Sequence, residues 1–272
     1  MKCVLTIAGS DSSGGAGIQA DLKTMTCLGV YGMSAITALT AQNTTGVRDV
    51  LEATPEFVGE QLDCIFEDIR PQAVKIGMVS SAPIIRVIGQ KLRQYGAENI
   101  VVDPVMVSTS GSALMQDSAL TALMEELFPL ASVITPNIPE AQRLCGFAIE
   151  TEEDMLRAAP AIGATLSGAV LVKGGHLSAA ADDLLWQRGE ARWFKAPRVD
   201  NPNNHGSGCT LSSAIASFLA LGEDLSGAVG KAKQYITAAM EARLDLGRGS
   251  GPLWHNYAIP QGGAVEMGRA ER

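Results

Sequence analysis

The strongest constraint on the fold is a rhythm. Short apolar runs alternate with amphipathic segments along almost the whole chain. The runs Val4–Ala8, Ser34–Ala41, Ala73–Ile76, Ile100–Val102, Ser132–Ile134 and Ala169–Val172 read as strands, because they are too short for helices. Ile18–Leu28, Glu56–Ile69, Pro83–Tyr95, Ala119–Leu127, Glu152–Leu166, Thr210–Leu221 and Leu225–Leu244 place apolar residues at helical spacing. Strand-then-helix alternation predicts an α/β fold: a mainly parallel sheet covered by helices on both faces. The segment "DDLLWQRGEARWFKA" (Asp182–Ala196) breaks the rhythm and reads as a hairpin turning at Arg188-Gly189-Glu190. No Pro/Gly/Ser linker or repeat divides residues 1–272, so one domain is expected, with loosely held tails at "GRGSG" and after Ile259.

Charge and cysteine usage exclude several functions. The net charge is −8 and no run of lysine or arginine exists, which argues against nucleic acid or an anionic membrane as partner. An anionic ligand would have to be held by local dipoles. The five cysteines are widely spaced and form no C-x-x-C pair, so neither a disulfide framework nor a zinc site is expected. Four of them, Cys3, Cys27, Cys64 and Cys145, sit among apolar neighbours and read as core. No signal peptide and no apolar stretch of about 20 residues is present, which predicts a soluble cytoplasmic protein.

In such sheets ligands sit beyond the C-terminal ends of the strands, so the residues after each apolar run are the candidates for function. "VLTIAGSDSSGGAGIQADLKTM" is a strand, a glycine-serine loop and a helix. Gly15, Gly17 and Ala20 satisfy a dinucleotide-binding pattern. The loop from Gly9 is too long for that motif, however, and no acidic residue closes a second strand. No Gly-Lys-Ser/Thr makes it a P-loop. The loop either covers a small polar ligand, with Asp21 one turn into the helix facing it, or merely caps the helix. Gln42, at the exit of the second strand, offers one acceptor and two donors to an aminated heterocycle, or caps a turn.

Asp103 ends a strand before a proline, where a carboxylate can hold Mg²⁺. Asn137 and Glu140, three apart at a helix start, are either a capping box or the pair that orders magnesium waters. Lys173 ends a strand before two glycines and can approach phosphates. His176 is equivocal, and His205 either contacts ligand or shapes the loop. Finally "HGSGCTLSSA" feeds a glycine turn into a helix, so the amides of Gly206, Ser207, Gly208 and Cys209 can form an anion hole. At a helix N-terminus the Cys209 thiol is expected below its free pKa of about 8.5, as a thiolate able to accept a proton.

Taken together, "AGSDSSGGAGIQADLK", "TALTAQNT", "KIGM", "DPVM", "TPNIPEA", "VKGGH" and "HGSGCTLSSA" resemble the hydroxymethylpyrimidine/phosphomethylpyrimidine kinases of thiamine synthesis, in the ribokinase-like superfamily. The motifs run in order from about Leu5 to about His255. The resemblance implies a three-layer α/β/α domain, usually a homodimer. It implies transfer of the ATP γ-phosphate to 4-amino-5-hydroxymethyl-2-methylpyrimidine and then to the resulting monophosphate. It makes Gln42 the aminopyrimidine ligand, with Asp21, Gly9, Met78 and Val105 around the same pocket. Asn137, Glu140, Asp103 and Lys173 serve ATP and Mg²⁺, Glu140 mainly through water, with a monovalent cation as a further candidate cofactor. Cys209 stands where sugar-kinase relatives place an aspartate base. The run "NPNNHGSGC" departs from the family by putting Pro202 where a lysine is usual, and Ser207 for threonine. The alternative is pyridoxal kinase, whose bacterial branch shares the loop and the cysteine. Gln42 and Ile76 favour the pyrimidine.

Overall fold

Successive strand residues point to opposite faces of a sheet, and the apolar strands here are apolar on both. In the computed structural model, which describes residues 1–106, 117–164, 166–175 and 181–259, this alternation divides the core in two. Leu5, Ile7, Val74, Ile76, Val102, Ile134 and Val170 pack into one cluster; Val4, Ala73, Val101, Val133, Ala169 and Leu171 pack into the other. A sheet buried on both faces by helices is a three-layer α/β/α sandwich, as the sequence predicts.

The elements run β1 (Cys3–Ala8), α1 (Gly17–Cys27), β2 (Tyr31–Ile36), β3 (Ala38–Asn43), β4 (Gly46–Glu52), α2 (Pro55–Asp68), β5 (Ala73–Ile76), α3 (Ala82–Gln94), β6 (Ile100–Val102), α4 (Asp117–Ala122), β7 (Val133–Ile134), α5 (Ile138–Cys145), α6 (Glu152–Gly163), β8 (Ala169–Val172), β9 (Asp183–Gln187), β10 (Glu190–Phe194), α7 (Ser207–Ala220) and α8 (Leu225–Glu241). Past Ala122 the fourth helix widens over Leu123–Leu127 and ends in a tight turn at Phe128–Leu130. Among the described residues the main sheet has the order β10-β9-β8-β7-β6-β5-β1-β2. It is parallel from β2 to β8, with β9 antiparallel to both neighbours. Helices α2 to α6 cover one face, and α1, α7 and α8 the other. The β9–β10 hairpin turns where expected, on Arg188 (φ 53°) and Gly189 (φ 84°), the two positive φ angles of a type I′ turn.

Three expectations need correction. Cys64, read as core, is exposed on α2. The run Ser34–Ala41 is not one strand. The chain leaves the main sheet at Thr37, whose N–H donates to Ala8 O and whose Oγ1 donates to Met78 O. The residues after it pair with β4 in a separate two-stranded antiparallel sheet. Nor is "GRGSG" a loose tail. Arg248 and Gly249 both donate their amides to Thr44 Oγ1, and Gly251 donates to Asn203 Oδ1, which ties the segment to the tip of the β3–β4 hairpin. β4 has no counterpart among the expected strands; the other expected strands and helices end within three residues of their bounds, counting the widened turn over Leu123–Leu127 with α4. The tail after Ile259 lies outside the described residues.

Candidate active site

The C-terminal ends of the parallel strands converge on the start of α7. Gly206 precedes that helix at φ 81°, and a Cβ there would fall 1.9 Å from Gly15 O, so only glycine lets the turn pass under the N-terminal loop. The amides of Ser207 and Thr210 are used by Asn204 O and Gly206 O. Those of Gly208 and Cys209 stay available at the positive end of the helix, which suits an anion. Beside them lie Asp103, just after β6, and Lys173, just after β8, joined by a 2.8 Å ion pair. A Cβ on Gly208 would stand 3.2 Å from Asp103 Oδ2 and 3.4 Å from Lys173 Nζ. Burial opposes the Lys173 charge, but Asp103 and Glu140 outweigh it and hold the ammonium above its ordinary pKa.

Glu140 completes this group, and both readings of Asn137 and Glu140 meet in it. The pair forms a full capping box: Asn137 Oδ1 accepts from Glu140 N, and Glu140 Oε2 accepts from Asn137 N, each at 2.9 Å. The box aims the carboxylate at the Asp103–Lys173 pair. Burial pushes the Glu140 carboxyl up to about 7, against the attraction of Lys173 and with the repulsion of Asp103. Among the described residues no three His, Cys, Asp or Glu side chains are arranged to cage a metal ion. That donor set fits magnesium, which keeps most of its waters and is bound by one or two carboxylates together with phosphates. Asp103 and Glu140 are the carboxylates available.

Across α7 from this group lies a cleft of about 410 Å³, lined by Gln42, Asn43, Thr44, Thr45, Gly46, His205, Gly249 and Ser250. Gln42 lines this cleft, whereas Asp21, Gly9, Met78 and Val105 do not. The Gln42 backbone is gripped by Ser12, whose Oγ donates to Gln42 O and accepts from Gln42 N. Sequence reasoning missed Asp11. Its carboxylate accepts from Ser13 N, Ser13 Oγ, Gly15 N and Ala16 N, and sits 2.8 Å from His205 Nε2. Burial works against its charge, but His205 and Ser13 outweigh it and hold the carboxyl well below the usual range. An aspartate opening a Ser/Gly-rich loop is the usual signal for such a turn. His205 meets Asp11 across the loop and also borders the cleft. Gly9 and Met78 pack against each other at the foot of the hairpin, 3.4 Å from a Gly9 Cβ to Met78 Cε, outside the cleft lining. Half-buried Val105 donates its amide to Asp103 O. His176 lies outside the described residues. Pro202 leaves no cation where a lysine is usual, and its carbonyl accepts from Ser250 Oγ.

Two expectations fail here. Asp21 does not face the pocket. It is fully buried among β1, β5 and α7, where its oxygens accept from Lys75 Nζ at 2.8 and 3.0 Å, from Thr6 Oγ1 at 2.6 Å and from Ser213 Oγ at 2.6 Å. Nor is Cys209 a low-pKa thiol. Burial pushes it up to about 11, and Asp21 and Asp103 add to the rise. The Lys75 ammonium and the Gly17 amide offset only part of it. The helix terminus is outweighed by desolvation and two carboxylates, so Cys209 is a neutral thiol near pH 7.

The phosphomethylpyrimidine kinase family model matches residues 11–254. The chain is 53% identical over 255 residues to the hydroxymethylpyrimidine/phosphomethylpyrimidine kinase of Rhizobium meliloti, covering 92% of this chain and 96% of that one. It is 51% identical over 256 residues to the thiamine biosynthesis bifunctional protein ThiED of Geobacter sulfurreducens, covering 94% of this chain; there it spans only about half, 52%, of the relative. The ADP complex of Bacillus subtilis pyridoxal kinase superposes with a TM-score of 0.88 at 38% identity, over 95% of this chain and 98% of that one. With a family model spanning most of the chain and a relative matched over nearly its full length, this chain belongs to the phosphomethylpyrimidine kinase family.

Proposed function

We propose that the protein transfers the ATP γ-phosphate to the hydroxymethyl group of 4-amino-5-hydroxymethyl-2-methylpyrimidine, and then a second phosphate to that product, in thiamine synthesis. The observation that carries this reading is the position of the Gly206–Cys209 turn. On one side it meets the Lys173, Asp103 and Glu140 group, and on the other the cleft of Gln42. A phosphate held on the amides of Gly208 and Cys209 then lies between a nucleotide and a small polar ring.

Phosphoryl transfer passes through a loose transition state, so positioning and charge stabilisation do most of the work. Lys173 and the two amides stabilise charge on the transferring group. Glu140, mainly through water, and Asp103 would hold a magnesium ion brought with the nucleotide, which would supply further positive charge at the phosphates. Gln42, its backbone gripped by Ser12, holds the pyrimidine, the carboxamide taking its amine and ring nitrogen. Cys209 lines the position of the substrate hydroxyl as a neutral thiol. A carboxamide acceptor at Gln42 suits an exocyclic amine better than a phenolic oxygen, which favours the pyrimidine over pyridoxal.

We read the chain as one catalytic domain. No described helix is long and apolar enough to cross a membrane, in keeping with a cytoplasmic enzyme. Leu39 and Leu51, opposite each other on the outer face of the β3–β4 hairpin and 51% and 69% exposed, favour a homodimer that covers them. The test of function is a product assay with ATP and either the aminopyrimidine, its monophosphate or pyridoxal. Gln42→Ala should raise KM for the aminopyrimidine more than tenfold, given a loss of about 1–3 kcal/mol for one buried polar contact. Pyridoxal as the better substrate, or an unchanged KM, would overturn the reading.

A further inference from the structure

A carboxamide can turn end for end, exchanging its donor and acceptor edges. If Gln42 selects an aminopyrimidine, something must fix which edge it presents. Nε2 of Gln42 sits 3.3 Å from His205 Nε2, and its Oε1 sits 3.3 Å from Thr40 Oγ1. The roles of both neighbours are already set. His205 Nε2 faces the Asp11 carboxylate at 2.8 Å, and a carboxylate only accepts, so that nitrogen carries a hydrogen and donates. Thr40 gives its hydroxyl hydrogen to Ser10 O at 2.8 Å, so its Oγ1 has only lone pairs left for Gln42. With the amide as placed, a donor faces a donor and an acceptor faces an acceptor. Turning it by half a revolution gives Nε2 an acceptor in Thr40 Oγ1 and sets Oε1 against the single His205 N–H, which Asp11 and Gln42 then share.

We infer that Asp11, acting through His205 and opposed by Thr40, sets the orientation of the Gln42 carboxamide, with Oε1 toward His205 and Nε2 toward Thr40. This rests on the reading that Gln42 holds the pyrimidine. In that orientation one lone pair on Oε1 and one N–H on Nε2 stay available side by side. They complement an exocyclic amine next to a ring nitrogen, which donates and accepts in the same order. The relay is rigid at its far end. Asp11 is 2% exposed and fixed by four loop donors in addition to His205. Gly15 leaves the room that the imidazole needs, since a Cβ there would lie 2.5 Å from His205 Cδ2. Asp11 and His205 are therefore positioning residues for substrate selection, one on the N-terminal loop and one directly before the anion turn.

The test is a double-mutant cycle on KM and kcat, with ATP and the aminopyrimidine. His205→Phe keeps a ring but removes the donor. It should raise KM for the aminopyrimidine on the order of tenfold, leaving kcat and KM for ATP within about twofold. In a Gln42→Ala background the same change should cost nothing further. His205→Phe should also narrow the preference for the aminopyrimidine over an analogue lacking the amino group. Costs that multiply in the double variant, or a loss confined to kcat and KM for ATP, would show that His205 merely supports the turn, and would overturn the inference. Should His205→Phe fail to fold, as judged by circular dichroism, Thr40→Val decides. A raised KM that vanishes in the Gln42→Ala background supports the relay, and an unchanged KM refutes it. Gln42→Ala alone separates the two levels: if it leaves KM unchanged, the reading of Gln42 itself has failed.

Discussion

Breaking the Lys75–Asp21 pair should be among the most damaging single changes in the molecule. Lys75 points to the α1 and α7 face of β5, and both side chains have no exposed surface. Asp21 joins four elements through the ammonium on β5 and the hydroxyls of Thr6 on β1 and Ser213 on α7. Lys75→Met keeps the volume but leaves a buried carboxylate with two hydroxyl donors and no cation. Removing one partner of a buried pair costs about 3–5 kcal/mol. In a chain of this size about 1 kcal/mol moves Tm by roughly 2–4 °C, so the drop should be on the order of 10 °C. Replacing both charges, Lys75→Met with Asp21→Asn, removes the uncompensated charge and keeps acceptors for the hydroxyls. The double variant should recover to within about 1–2 kcal/mol of the parent. Urea and thermal unfolding at neutral pH measure all four corners. A single variant that melts with the parent, or a double variant as weak as the two singles summed, would refute the claim that charge pairing holds these four elements.

Three further outcomes follow. Cys209 alkylation should show a midpoint near pH 11, raised further by Lys75→Met and lowered by Asp21→Asn, because removing a cation disfavours the thiolate and removing an anion favours it; shifts of the same sign would refute the assigned electrostatics. Glu140 titrates near 7 when folded against 4.5 in its ordinary state, so its contribution to stability is present below about pH 4.5 and lost as pH rises through about 7. Glu140→Gln should therefore gain stability relative to the parent between pH 5 and pH 8 in urea melts, and parallel curves would contradict this. Gly206→Ala combines a left-handed backbone, costing roughly 1–2 kcal/mol, with a clash on Gly15 O, so it should lower Tm and raise KM for ATP; unchanged values would mean the turn is soft.

The layered fold and most strand-end residues were legible because local patterns determine them. The break at Thr37 was not, since "SAITALTA" carries no glycine or proline and the chain is redirected by Ala8 and Met78, 29 and 41 residues away. Asp21 reads as a pocket residue until its partner Lys75, 54 residues later, is known. At Cys209 the helix terminus is the one effect visible locally, while the burial and carboxylates that outweigh it come from other elements. "GRGSG" looks loose for the same reason: its anchor is Thr44, about 200 residues earlier.

That last anchor has a consequence for biogenesis. Chains emerge N-terminus first, and the hairpin bearing Gln42 is among the first elements to leave the ribosome. Its cleft is walled by His205, Gly249 and Ser250, and His205 is itself held by Gly251 O and a bridge to Pro252. A nascent chain therefore carries Gln42 through nearly the whole of translation without the wall that completes its cleft. Ligand added during synthesis should protect only chains elongated past about Pro252.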